Sequence, residues 1–246
     1  MYLYAITDRP DLPVPAEPGL EGTSLFSLAY RDIVAVVSPL ATTKVPPTGD
    51  NVWRHEAIVE ALMTDRAVLP VRFGTVLADE AAVQATLAAH YTDFVANLER
   101  VRGRVELGLR VLWEIADSEW QIADSSHQPS AISHQLSAIS GRAYLMARLE
   151  EERQRRAWRQ RAEALAEEIH APLARLAGES TRQVLITPRL LLTAAYLVER
   201  DRVATFRQEV EALSATYPAL RFLCTGPWPT YNFVSRFPID DVRFSI

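Results

Sequence analysis

The chain has 246 residues, 48% hydrophobic and 23% charged, with a formal net charge of −5 and a pI near 5.6. That composition is ordinary for a folded globular protein large enough for one big domain or two smaller ones. A mildly acidic surface excludes the basic footprint expected for nucleic acid or anionic membrane, and the single cysteine, Cys224, excludes an intrachain disulfide and a cysteine-built metal cage.

The N-terminal segment MYLYAITDRP lacks the basic region, long apolar stretch and small-residue cleavage site of a secretory signal, and the longest apolar run, Leu190 to Val198, is too short to span a bilayer. A cytoplasmic protein is expected. Tyr2 to Ile6 predicts a buried strand, followed by a loop carrying Pro10, Pro13, Pro15 and Pro18. TSLFSLAY and DIVAVVS, separated at Arg31-Asp32, predict a hairpin. A helix is expected from about Asn51 to Arg66, with Val52, Val59, Leu62 and Met63 inward. AVLPVRFGTVL is strand-like, with Pro70 confining it to an edge or a strand start. One helix is then expected from an Asp79 N-cap to Gly103, its stripe being Val83, Leu87, Tyr91, Phe94, Leu98 and Val101.

Val105, Leu107, Leu109, Val111 and Trp113 alternate, which predicts a half-buried strand. The tandem copies SHQPSAI (Ser126 to Ile132) and SHQLSAI (Ser133 to Ile139) are too few for a coiled coil and rich in Ser and Gln. A disordered insertion at about 118–140 is expected, not a functional site. A long helix follows from Arg142 to about Leu176, with Trp158, Ala162, Leu165, Ile169, Leu173 and Leu176 buried and Pro172 kinking or dividing it. Glu151–Arg155 and Glu152–Arg156 are candidate i,i+4 pairs on a solvated face. RQVLITP and LLLTAAYLVE predict strands. A helix capped by Asp201 should turn Val203, Phe206, Val210 and Leu213 inward, and LRFLCTG is the last strand.

From Arg104 the order is strand, helix, strand, strand, helix, strand, that of a split βαβ, ferredoxin-like unit. The expectation is an α+β protein of two domains. These are an N-terminal α+β domain, 1–103, and a modified ferredoxin-like domain, 104–246, ending in a clasp at 226–246 that packs back on the first.

No catalytic motif stands out. HEAIVE (His55 to Glu60) begins like a zinc-protease helix, but Val59 occupies the position of the second histidine. His55 is therefore expected to be a surface or packing residue, and His127 and His134 owe their identity to the repeat. The phosphate-binding loop, the dinucleotide fingerprint and the nucleophile elbow are all missing from the sequence. No enzyme, cofactor or metal is expected. Two aromatic, nearly uncharged segments remain: Val68 to Leu77, with Arg72, Phe73 and Gly74, and GPWPTYNFV (Gly226 to Val234), with Trp228, Tyr231 and Phe233. Arg72 lies between apolar neighbours, which predicts a buried arginine paired with a carboxylate across a domain interface. The alternative is an anchor for a partner protein. Pro227 and Pro229 should fix an extended path for the second segment.

HEAIVEAL, LPVRFGT, VELGLRV, GRAYL, AAYLVERDRVATF and GPWPTYNFV, in that order, resemble the gas vesicle protein F/L family over almost the whole chain. The sequence departs from the family pattern at Thr230, where a second proline is usual, and in the insertion. The resemblance implies a non-enzymatic accessory or minor structural protein of gas vesicles, with an N-terminal α+β domain and a modified ferredoxin-like C-terminal domain. It implies as partners the hydrophobic main shell protein and other gas vesicle accessory proteins. The competing expectation from fold order alone is a ferredoxin-like small-molecule sensor or enzyme, since that fold hosts many functions.

Overall fold

The computed structural model describes residues 1–42, 44–113, 141–184 and 189–234. The expected insertion, with His127 and His134, lies outside the described residues, as do the final residues of the expected clasp. The chain forms two compact units, Met1–Glu106 together with the chain from Gly226, and Leu107–Thr225.

In the first unit β1 (Tyr2–Thr7) pairs antiparallel with both β3 (Ile33–Ser38) and β4 (Val68–Pro70). β3 also pairs with β2 (Phe26–Tyr30) across the expected Arg31-Asp32 turn. The sheet order is β2-β3-β1-β4. Every residue of β1 and β3 is buried because both faces of this sheet are covered. On one face Tyr2, Tyr4, Val34 and Val36 pack against Ile58, Val59 and Leu62 of α1 (Gly49–Leu62). On the other, Leu3, Ile33, Ala35 and Val37 meet Val83 and Leu87 of α2 (Glu80–Ala89) and Phe94, Leu98 and Val101 of α3 (Tyr91–Val101).

Two local expectations change here. The single helix from Asp79 to Gly103 is two helices: His90, at φ −113° and ψ 17°, interrupts the ladder between them. The stripe survives the break, which is why periodicity alone reads it as continuous. The Asp79 cap is present, its carboxylate accepting from the Ala82 amide at 2.8 Å. Thr48 caps α1 in the same way, accepting from the Asn51 amide at 3.3 Å. The strand around Pro70 is only three residues long, because the chain turns sharply after Val71.

In the second unit the order is β6-β7-β5-β8, where β5 is Arg104–Trp113, β6 Glu179–Val184, β7 Leu192–Glu199 and β8 Leu220–Trp228. β6 and β7 run antiparallel. Leu107, Leu109 and Val111 of β5 join Leu192, Ala194, Tyr196 and Val198 of β7 in one core. Two helices cover it. α4 (Gly141–Leu176) contributes Ala162, Ala166, Ile169 and Leu173; α5 (Val203–Thr216) contributes Phe206, Val210 and Leu213. Pro172 does not divide α4, which runs unbroken to Leu176. The carbonyl that loses its donor belongs to Glu168, an exposed residue that water can serve. Asp201 is not the cap of α5; it sits in a 3-10 turn, Arg200–Arg202, and the N-cap is Arg202 without a side-chain bond. Trp158 is half-buried, its ring 6.1 Å from that of Trp113. Of the expected ion pairs, Glu152–Arg156 stands at 3.8 Å, and Glu150–Arg153 at 3.9 Å adds to it.

Candidate functional site

The segment after β4 is a tight turn. The Arg72 carbonyl accepts from both the amide (3.3 Å) and the hydroxyl (2.8 Å) of Thr75. Gly74, third in the turn, has φ +89° with open space around the position of a side chain. Glycine is required there by the dihedral, not by crowding.

The turn is clamped by a buried histidine. His55 sits on the inward face of α1 with 0% exposure. One ring nitrogen, Nε2, lies 3.0 Å from the Val71 carbonyl oxygen. A carbonyl only accepts, so Nε2 carries the proton and Nδ1 holds a lone pair. Nδ1 then accepts the Tyr2 hydroxyl at 2.9 Å, and the Tyr2 oxygen accepts the Gly74 amide at 3.1 Å. The circuit Gly74 N–H, Tyr2 O–H, His55, Val71 C=O closes on the turn from both ends. Tyr4 stacks on the His55 ring at 5.7 Å, while its hydroxyl accepts the Leu20 amide at 2.8 Å. Burial pushes His55 down to about 4 and pushes the Tyr2 and Tyr4 phenols up.

The segment from Gly226 meets the same cluster. Tyr231 donates its hydroxyl to Glu56 Oε1 at 2.9 Å and lies 3.4 Å from His55 Nε2. Burial raises the Tyr231 phenol and the neighbouring Glu56 adds to the rise; burial likewise lifts the Glu56 carboxyl. One residue on, Asn232 grips the buried Glu106 carboxylate with its backbone amide (2.9 Å) and its side-chain amide (2.5 Å). Burial raises the Glu106 carboxyl against the opposing pull of these two bonds. The Phe233 and Val234 amides both turn back on the Thr230 carbonyl, at 3.0 and 3.2 Å. The Thr230 hydroxyl is buried without a hydrogen-bond partner among the described residues.

The six residues singled out by sequence divide by role. Phe73, Gly74 and Tyr231 converge on His55, the Phe73 ring standing 5.8 Å from the imidazole. Phe233 is buried. Trp228 is 43% exposed, and Arg72 is exposed and makes no ion pair with any described residue. The expectation of a buried, paired Arg72 is therefore corrected. Strand alternation would have turned its side chain inward, but the chain is already in the turn at that point. Sequence reasoning missed Tyr2, His55, Glu56, Glu106 and Asn232 as the framework. A signal for His55 was present: it steps by three, four and seven to Ile58, Val59 and Leu62, on the apolar face of α1.

Chemically, the arrangement fastens. Both His55 nitrogens are engaged and no part of the ring is exposed, so it serves as a tie between segments and not as an acid or base toward a ligand. Among the described residues no group of three or more His, Cys, Asp or Glu is placed to hold a metal, and no helix is long and apolar enough to cross a membrane.

The chain is similar to known proteins over most of its length. The family model described as gas vesicle synthesis protein GvpL/GvpF matches residues 1–235. Gas vesicle protein L of a Streptomyces species is 33% identical over 94% of this chain and 91% of its own. Gas vesicle protein F1 of Halobacterium salinarum is 24% identical over 95% and 92%. In fold, the crystal structure of the gas vesicle protein GvpF from Anabaena sp. PCC7120 superposes with a TM-score of 0.76 at 22% identity, covering 96% of each chain. GvpF from Microcystis aeruginosa gives 0.71 at 20% identity, over 95% of this chain and 98% of that one. The mixed fold of two four-stranded sheets with helices is theirs as well. This chain belongs to the GvpL/GvpF family, and its role is a gas vesicle one.

Proposed function

We propose that this protein is a gas vesicle accessory or minor structural protein that binds the hydrophobic main shell protein and supports vesicle nucleation or assembly in the cytoplasm, without catalysis. The observation that carries the reading is the family match across residues 1–235, with a relative 33% identical over nearly the whole chain. The physical rationale is direct. A protein that lines gas must expose apolar surface, and such surface aggregates before it is assembled. A folded binder shields it, by a groove for an amphipathic helix or by an exposed sheet edge. Edge strands are available here in β2 and β4 of one sheet and β6 and β8 of the other. β6 is polar and exposed along Ser180 to Gln183, whereas β8 presents an exposed Leu223.

The same proposal extends to organisation. We read residues 1–103 as an N-terminal α+β domain, 104–246 as a modified ferredoxin-like domain, and 226–246 as its clasp. The order β6-β7-β5-β8, with α4 and α5 in the same core, supports the ferredoxin-like reading. The test is deletion in a native host followed by electron microscopy, with pull-down of the main shell protein by the purified chain. Absent or malformed vesicles together with capture of the shell protein are expected. Normal vesicles without the protein and no capture would overturn the reading.

A further inference from the structure

Four of the seven large hydrophobic side chains exposed among the described residues sit together near the start of α4. They are Tyr144, Leu145, Met146 and Leu149, between 46% and 61% exposed. Every residue from 144 to 157 is exposed, so about four turns of this helix have no buried face. Trp158 is the first half-buried residue, and Ala162 the first that joins the core of the second unit. A helix with an apolar cluster and no packed side gains most of its stability from a partner.

The charges beside the cluster point to that partner. Glu150, Glu151 and Glu152 form an acidic block, and Arg153, Arg155 and Arg156 form the basic block that follows it. The order reverses when the helix is turned end for end. A second copy lying antiparallel sets acidic against basic twice, about a two-fold axis near the Glu152–Arg153 junction. A parallel copy sets like against like. The pairs within the helix leave these groups available. Glu150–Arg153 at 3.9 Å and Glu152–Arg156 at 3.8 Å are loose beside the about 2.7–2.9 Å of a tight charge-assisted bond. Leu145, Leu149, Glu152 and Arg156 step by four, three and four, so apolar and charged groups share one stripe.

We propose that the exposed part of α4 is a self-association surface on which two copies of this chain pair antiparallel. Leu145 and Leu149 of one copy lie over Ala157 and the methylene stems of Arg156 and Arg159 of the other, which supplies the attraction. The charge blocks fix the orientation and exclude the parallel arrangement. This goes beyond the shell-protein reading and does not depend on it.

The test is sedimentation equilibrium of the full chain at concentrations up to about 0.1 mM. A monomer–dimer equilibrium is expected. Glu150→Arg, Glu151→Arg and Glu152→Arg together make the block all basic; Arg153→Glu, Arg155→Glu and Arg156→Glu together make it all acidic. Each set should weaken dimerisation tenfold or more at low salt, and mixing the two variants should restore a dimer. Both sets in one chain exchange the blocks, which should preserve self-association but form no mixed dimer with wild type. Leu145→Ser with Leu149→Ser should also weaken dimerisation tenfold or more, with unchanged circular dichroism. A wild-type chain that stays monomeric overturns the proposal, as does a dimer that tolerates the single-sign or the leucine variants. Mixed dimers of wild type with the exchanged-block chain would overturn the antiparallel order.

Discussion

Each unit contains one buried histidine bonded to one buried tyrosine, and the two pairs do different work. In the first, His55 is fully enclosed, bonded to Tyr2 on one side and to the Val71 carbonyl on the other. In the second, His170 on α4 meets the Tyr196 hydroxyl at 2.8 Å, and its other nitrogen stands 3.3 Å from the hydroxyl of Ser180 on the exposed edge strand β6. Burial lowers the basicity of both, and takes His55 to about 4. The first pair joins a helix, a strand, a turn and the Tyr231 segment; the second joins a helix to a sheet edge that water reaches. Equivalent chemistry is thus structural glue in one place and a peripheral tie in the other, and the number of irregular segments it holds makes the difference.

The comparison is most directly broken by deletion of each ring. His55→Ala strands a buried carbonyl and a buried phenol and leaves a cavity, so it should cost about 3–5 kcal/mol in urea unfolding. His170→Ala should cost about 2 kcal/mol, because only the Tyr196 hydroxyl is left dry. Equal losses would show that the two pairs are interchangeable.

A smaller effect is expected from pH. The folded-state pKa of His55 lies below the ordinary value near 6.5, so the unfolded chain binds the extra proton first. The stability it confers is present above about pH 6.5 and is lost as pH falls toward 4, by on the order of 3 kcal/mol. Glu56 and Glu106 are raised and act with the opposite sign: their contribution is complete below the ordinary carboxylate range and is lost as pH rises through their folded values. Comparing wild type with His55→Gln between pH 7 and 4 removes that background. The gap between the two proteins should narrow with acid; a constant gap would remove His55 titration from the account.

The smallest change sharpens the contrast within the first unit. Thr230 presents a buried hydroxyl with no partner among the described residues. Thr230→Val keeps the shape and removes the stranded group, so it should stabilise by about 1 kcal/mol in thermal unfolding. Loss of stability would mean the hydroxyl is bonded in solution.

Sequence patterning revealed most of the regular structure and little of the site. β5 alternated as read, since one side of that strand faces a dry core. The β2–β3 hairpin was marked by two residues between two apolar runs. The inward positions of α4 and α5 were legible for the same reason: periodicity records burial of side chains on one face. What it does not record is a backbone amide or carbonyl that needs a partner. The demands of Gly74, Val71 and the Asn232 amide are met by Tyr2, His55 and Glu106, which are far away in the chain and carry no pattern of their own. Arg72 was misread because a turn and a strand look alike over three residues.

The grip of Asn232 on Glu106 spans 126 residues of chain. A ribosome adding about 5–20 residues per second needs on the order of ten seconds to cover that distance. Throughout that interval the groups that bond the Glu106 and Glu56 carboxylates, Asn232 and Tyr231, are not yet synthesised. The whole of Leu107–Thr225 emerges in the meantime. The unit that starts first is therefore completed only after the other has been made, when the Tyr231–Asn232 segment supplies the bonds to Glu56 and Glu106.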